Sequence, residues 1–219
     1  MSVQIAPSIL AADFLNLGRD IGMLNSHADL IHLDIMDGTL VPNISFGFSV
    51  VDAVSRVARI PMDAHLMIVH PEKYFKKVAS TGASMLSFHL EAARMQGSDP
   101  SELLSEVRSL GMKAGLAFNP DIPVKECFPY IKDADFILLM SVFAGFGGQE
   151  MVPETFDRVS ELKNEIRRQG SGCLIEVDGG VNTVNSAGLV NAGVDIIVAG
   201  SAVFKAQDPE EVITSMRGL

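Results

Sequence analysis

Eight short apolar, β-branched runs recur along the chain, each followed by a stretch with helical periodicity. That alternation restricts the fold more than any other feature. The runs are VQIAPSIL (3–10), DLIHLDIM (29–36), PMDAHLM (61–67), SMLSFHL (84–90), MKAGLAF (112–118), DFILLMSV (135–142), CLIEVDG (173–179) and VDIIVAG (194–200). Segments between them, such as PEKYFKKVASTGA and PETFDRVSELKNEIRRQG, carry apolar residues at three-to-four spacing. Gly82, Gly111, Gly170 and Gly193 each stand just before a strand, where a helix C-cap belongs. Strands this continuously apolar suit a parallel sheet covered by helices on both faces. Eight βα units in 219 residues predict an α/β fold of the (β/α)8 TIM-barrel type. An open doubly wound sheet is the alternative, and the count of eight favours the barrel. No linker rich in Pro, Gly, Ser or charge divides the chain, so one domain spanning 1–219 is expected.

In a barrel, active-site groups gather at the C-terminal ends of the strands. Ser8 ends the first run, His32 and Asp34 the second, His65 the third, and His89 with Glu91 the fourth. Asn119, Ser141 and Asp178 end the next three, and Gly200-Ser201 the last, while the opposite ends carry no comparable set. Side chains alternate along a strand, so His32, Asp34 and Met36 share a face, as do His65 and Met67. Imidazole and carboxylate on neighbouring strands suit one borderline divalent metal ion: zinc, iron(II), manganese or cobalt. A lone buried His is more often a hydrogen-bonded core group than a ligand. His32, Asp34, His65 and Asp178 at matching strand ends read together as a metal set, with His89 outside it as a supporting residue or substrate contact. Asp34 and Asp178 lie three strands apart round the ring, so their carboxylates can flank a substrate from opposite faces. One base that removes a proton and another that returns it from the other side would invert a carbon centre beside the metal. That arrangement points to an epimerase.

A formal net charge of −10 argues against nucleic acid or an anionic membrane as partner. Any anionic ligand must be held by local design. Three glycine segments follow the last three strands: GFGG (145–148), DGG (178–180) and AGS (199–201). Converging backbone N–H groups hold a phosphate without lysine, which makes this a barrel of the phosphate-binding type. The surrounding stretch, SVFAGFGGQEMVPE (141–154), reads as a flap that closes over the site and excludes water. There is no basic segment before the first apolar stretch, no apolar run near the ~20 residues that span a bilayer, and only two isolated cysteines, Cys127 and Cys173. A cytoplasmic protein without a membrane partner is expected.

The motifs APSIL, HLDIMDG, VPNISFG, DAHLM, MSV…GFGGQ, EVDGG and AGSAVF resemble those of ribulose-phosphate 3-epimerases, in family order from about residue 4 to 206. The resemblance implies a phosphate-binding barrel that interconverts D-ribulose 5-phosphate and D-xylulose 5-phosphate in the pentose phosphate pathway, with one divalent metal ion. It implies that His32, Asp34, His65 and Asp178 hold the metal, that Asp34 and Asp178 double as acid and base, and that Ser8 and His65 contact substrate. Met36, Met67 and Met140 would line the enediolate, with core filling as their competing role. The family's phosphate contacts fall on Gly147, Gly148, Gly179, Gly180, Gly200 and Ser201, with Gly145 and Phe146 beside them in the same loop. A homo-oligomer is also implied. Two departures stand out: Phe143-Ala144 where the family usually has Asn-Pro, and Leu40 where it usually has Phe. Losing the proline should loosen the flap.

Three other functions compete. One is the same reaction on a ketohexose 6-phosphate such as D-allulose 6-phosphate. A lyase on this barrel would need a lysine in the site, and Lys113, Lys132 and Lys205 fall at a strand start, in a helix and beyond a strand end. A non-catalytic sugar-phosphate binder would be expected to lack Asp34 or Asp178.

Overall fold

In the computed structural model, which describes residues 2–217, the apolar runs form strands β1 (Gln4–Pro7), β2 (Ile31–Met36), β3 (Met62–Met67), β4 (Met85–His89), β5 (Lys113–Phe118), β6 (Phe136–Met140), β7 (Leu174–Asp178) and β8 (Ile196–Ala199). Residues 1, 218 and 219 of the expected domain lie outside the described residues. All ladders are parallel, and the order is β1-β8-β7-β6-β5-β4-β3-β2. The ring closes between β1 and β2 through a single bridge, Ser8 to His32. Below it, Ile5 O accepts the N–H groups of Asp29 and Leu30. The expected barrel is therefore formed, with one narrow seam.

Most crossovers are helical: α1 (Leu17–His27), α2 (Phe48–Ser55), α3 (Phe75–Ser80), α4 (Leu90–Gln96), α5 (Pro100–Ser109), α6 (Thr155–Gln169), α7 (Ser186–Ala192), α8 (Ser201–Phe204) and α9 (Pro209–Met216). The fifth unit departs from the expected alternation. Between β5 and β6 the chain makes only two 3-10 turns, Val124–Glu126 and Phe128–Tyr130. Pro120, Pro123 and Pro129 explain this, since each removes a backbone donor and disfavours helix at the residue before it. The four glycines expected as C-caps, Gly82, Gly111, Gly170 and Gly193, all have positive φ.

Two apolar layers form. The larger lies between the ring and its helices and contains Ile21, Leu24, Phe75, Phe88, Leu104 and Leu162. The smaller fills the lumen with Ala6, Met85, Ala117, Phe136, Leu138, Met140, Ile196 and Val198. Phe136 fits there because its partner in the β5–β6 register is Gly115. A Cβ on Gly115 would lie 2.2 Å from the ring Cζ. We therefore expect Gly115→Ala to destabilise the fold by about 1–3 kcal/mol through overpacking, read as a drop in denaturant midpoint. Gly172→Ala, where a Cβ meets nothing within 4 Å, should stay within about 0.5 kcal/mol of the parent.

Candidate active site

Parallel register brings the strand-end residues together. Asp34 on β2 is the ladder partner of His65 on β3, and the seam bridge sets Ser8 beside His32. His32 Nε2 lies 3.4 Å from Asp34 Oδ1, and His65 Nδ1 lies 3.1 Å from the same oxygen. Asp178, arriving on β7, puts Oδ2 4.0 Å from His65 Nδ1. Ser8 Oγ donates to Asp34 Oδ2 at 2.5 Å. Each of His32, Asp34, His65 and Asp178 offers one donor atom, and these atoms all lie within 4.8 Å of one another. His32 Nε2 is buried and has no hydrogen-bond partner, an unfavourable state for a polar atom unless something else takes its lone pair. Two imidazole nitrogens and two carboxylates also form a donor set suited to a borderline divalent ion. The residues fit a metal.

The acidities of the cluster are spread apart. Burial works against ionisation of Asp34, but the His32 and His65 imidazoles overcome it and hold its carboxyl far below the usual range. Burial pushes Asp178 up to about 7, and the nearby Asp34 charge adds to that. Burial lowers His65 to about 4, the His89 imidazole contributing to the same effect. For His32, burial opposes the charged form, yet the Asp34 and Asp63 carboxylates raise it well above the ordinary imidazole value. Without a metal, then, a protonated His32 supplies the positive charge between the carboxylates. A metal ligand must be deprotonated, so an ion entering here displaces that proton.

Above the cluster opens a cavity of about 400 Å³. Ser8, Asp34, Asp178 and the expected methionines Met36, Met67 and Met140 all face it, as do Gly145, Phe146, Gly147, Gly148, Gly179, Gly180, Gly200 and Ser201. His32 and His65 are not on its wall; both are fully buried behind Asp34. The three glycine loops approach one another closely. A Cβ on Gly180 would lie 2.4 Å from Met151 N, one on Gly179 2.5 Å from Val142 Cγ2, and one on Gly148 4.0 Å from Ser201 Oγ. Gly179 and Gly180 also have φ of 119° and 63°, so backbone shape and space both require glycine there.

The flap is tied to a neighbouring loop and closed on itself. Asn43 Nδ2 donates to Gly145 O at 2.6 Å, and Gln149 Nε2 donates to Phe143 O and Phe146 O, each at 2.8 Å. The sequence departures at Leu40 and Ala144 fall on one place: both pack on the small apolar cluster of Met36, Val41 and Met67. Phe143, the other half of the Phe143-Ala144 departure, is about half exposed at the cavity mouth beside an equally exposed Phe146.

Three features escape the sequence reading. Asp63 and Glu176 are fully buried inside the barrel, one layer below the strand ends. Asp63 Oδ2 lies 2.6 Å from His32 Nδ1, and Glu176 Oε1 lies 3.6 Å from the same nitrogen. Burial, then the Asp63 charge, keeps Glu176 protonated well above the normal carboxylate range. Period-two spacing carries the signal, because Asp63 shares a face with His65, and Glu176 with Asp178. The expectation that acidic and polar groups are confined to the strand ends is corrected accordingly. Lys205, which the sequence placed merely beyond a strand end, lies on the cavity wall with Gly200 and Ser201. One helical turn after Ser201 brings it back to that side.

The model of the ribulose-phosphate 3 epimerase family matches residues 4–204. The chain is 41% identical over 219 residues to the ribulose-phosphate 3-epimerase of Synechocystis sp., covering 99% of this chain and 94% of the relative. It is 40% identical over 218 residues to that of Bacillus subtilis, covering 99% of each. Among solved structures, orotidine 5'-phosphate decarboxylase from Pyrococcus horikoshii aligns with a TM-score of 0.67 over 97% of each chain, at 13% identity. That last likeness concerns the fold alone. By the extent of the family match and by the identity of these relatives, the chain belongs to the ribulose-phosphate 3-epimerase family.

Proposed function

We propose that the protein is an epimerase that interconverts D-ribulose 5-phosphate and D-xylulose 5-phosphate by moving a proton on and off carbon 3 between Asp34 and Asp178. The observation that carries this reading is the pair of carboxylates of opposite proton affinity, on β2 and β7, flanking one cavity floor. Asp34 is a base at neutral pH, and Asp178 has the higher proton affinity of the two, a difference that fits one carboxyl to take a proton from carbon 3 and the other to give one back. Their roles exchange for the reverse reaction. Ser8, donating to Asp34 Oδ2, fixes the carboxylate so that its other oxygen faces the imidazoles.

His32, Asp34, His65 and Asp178 would hold the divalent ion, whether zinc, iron(II), manganese or cobalt. When bound, it supplies positive charge beside the carbon acid and lowers the cost of removing its proton. The three methionines present polarizable, proton-inert walls to a planar electron-rich species. The glycine loops offer backbone N–H groups to the phosphate, and Lys205 adds the cation that these loops lack. The flap over them excludes water from the deprotonated carbon.

The test is epimerisation of D-ribulose 5-phosphate and D-allulose 6-phosphate side by side, on protein stripped of metal and resupplied with each candidate ion. Metal-dependent turnover that favours the pentose is expected, and activity confined to the hexose would overturn the substrate assignment. Asp34→Asn and Asp178→Asn should each lose about 10²–10⁴-fold in kcat; near-parental turnover in either folded, metal-loaded variant would sink the two-base reading. Lys205→Gln should raise KM several-fold with kcat held, because a phosphate contact remote from carbon 3 binds ground and transition states alike.

Metal affinity should depend on pH with a definite sign. Asp178 keeps its proton up to about pH 7 in the metal-free protein, and His32 holds one too. Affinity should therefore fall as pH drops below about 7, measured by chelator competition. The folded pKa of Asp178 is raised above its ordinary 3.8. Its contribution to metal-free stability is thus complete at low pH and is lost as pH rises through about 7.

A further inference from the structure

Glu91, in the first turn of α4, and Asn119, just past β5, carry polar groups that neither hold the metal set nor line the cavity, yet they join the two. His65 presents Nδ1 to Asp34 and Asp178 and turns Nε2 toward His89 Nε2, 2.8 Å away. The two rings stack with centroids 5.0 Å apart. If Nδ1 of His65 serves as a donor atom it carries no hydrogen, so Nε2 carries it and donates to His89 Nε2. His89 then bears its own hydrogen on Nδ1. That atom is buried and has no hydrogen-bond partner, but it faces Glu91 Oε1 at 3.6 Å.

The same Glu91 oxygen accepts from the other direction. Asn119 donates to it twice, from the backbone N–H at 3.0 Å and from Nδ2 at 2.8 Å. Asn119 Oδ1 accepts the N–H of Ala144 at 2.9 Å, at the root of the flap. Burial opposes a charged Glu91, but the His89 imidazole overcomes it and holds the carboxyl below its usual value. One anionic oxygen thus accepts both Asn119 donors from the flap side and faces the unpartnered His89 Nδ1 on the metal side. The last link needs a residue with an N–H at 144; proline there would have none.

We propose that Glu91 is a positioning residue that ties the metal-facing tautomer of His65 to the root of the flap, through His89 on one side and Asn119 on the other. Metal occupancy and flap order are then linked reciprocally: whatever firms one end firms the other by the same factor. The inference rests on the reading of His65 as a metal ligand.

The experiment uses the full chain, titrated with cobalt(II). It reads affinity by chelator competition, ligand field by the visible spectrum, and order in residues 144–148 by amide hydrogen exchange. In the parent, cobalt should slow exchange across the flap. Asn119→Ala, which touches no metal-facing side chain, should weaken cobalt binding about 10-fold or more, within the range of outer-shell losses. Glu91→Gln should do the same, alter the visible spectrum and abolish the slowing. Ala144→Pro removes the final N–H and also stiffens the loop, so the readout is the change that cobalt makes: the cobalt-dependent slowing at residues 145–148 should vanish even if Asn119→Ala fails to fold. The relay is overturned if cobalt leaves flap exchange unchanged in the parent. It is equally overturned if folded Asn119→Ala binds cobalt within twofold of the parent, or if Ala144→Pro keeps the slowing. His65→Ala separates the two readings. If it binds cobalt as tightly as the parent, the assignment of His65 as a ligand fails. If it loses cobalt while Asn119→Ala does not, the relay alone fails.

Discussion

Two imidazoles from neighbouring strands lean on one carboxylate oxygen. Asp34 Oδ1 lies 3.4 Å from His32 Nε2 and 3.1 Å from His65 Nδ1, all but sealed from solvent. Burying that many ionisable groups is unfavourable unless each is matched. The remainder of the inner layer supplies the matches: Asp63 against His32, His89 against His65, and Ser8 against the second Asp34 oxygen. The spread in proton affinity between Asp34 and Asp178 follows from this. Asp34 has two imidazole neighbours close by, whereas Asp178 has mainly burial and the Asp34 charge to contend with. The two carboxyls are distinguished by surroundings alone.

An acidic protein that handles a phosphate has a second electrostatic problem, and the cavity solves it with geometry. Glycines at 148, 179, 180 and 200 let three loops approach one another until their backbones line one pocket. Oriented amides carry partial charge without adding to the net charge of the molecule. Lys205 is exposed at this rim, where solvent screens it. The flap shares the same architecture, since Gly180 can only be glycine while Met151 passes so close.

The barrel was legible in the sequence because its signal is repetitive: eight apolar runs, and glycines placed as helix stops. The missing helix after β5 was marked locally by three prolines, but the regularity of the other units overrode them. At the site, His32, Asp34, His65 and Asp178 could be read from strand-end position. Asp63 and Glu176 could not be read the same way, because a carboxylate in the middle of an apolar strand looks like an exception until its partner across the ring is known. The lysine at 205 was hidden for a different reason. Its placement depends on the turn of the short α8, which brings an apparently distal residue back to the cavity. Leu40 and Ala144 are more than a hundred positions apart, and only the folded chain brings them to one cluster.

The seam of the ring gives these side chains another meaning. Between β1 and β2 the described residues form no ladder; the Ser8–His32 bridge, the carbonyl of Ile5 and the Ile5 N–H donating to Asp29 Oδ2 join them. The Ser8–Asp34 hydrogen bond crosses the same gap. Ordinary barrels rely on backbone pairing to stay shut. Here the hoop is fastened at its weakest stave by side chains of the candidate site. The clasp and the tool are one piece, so a change that improves one is felt at once by the other.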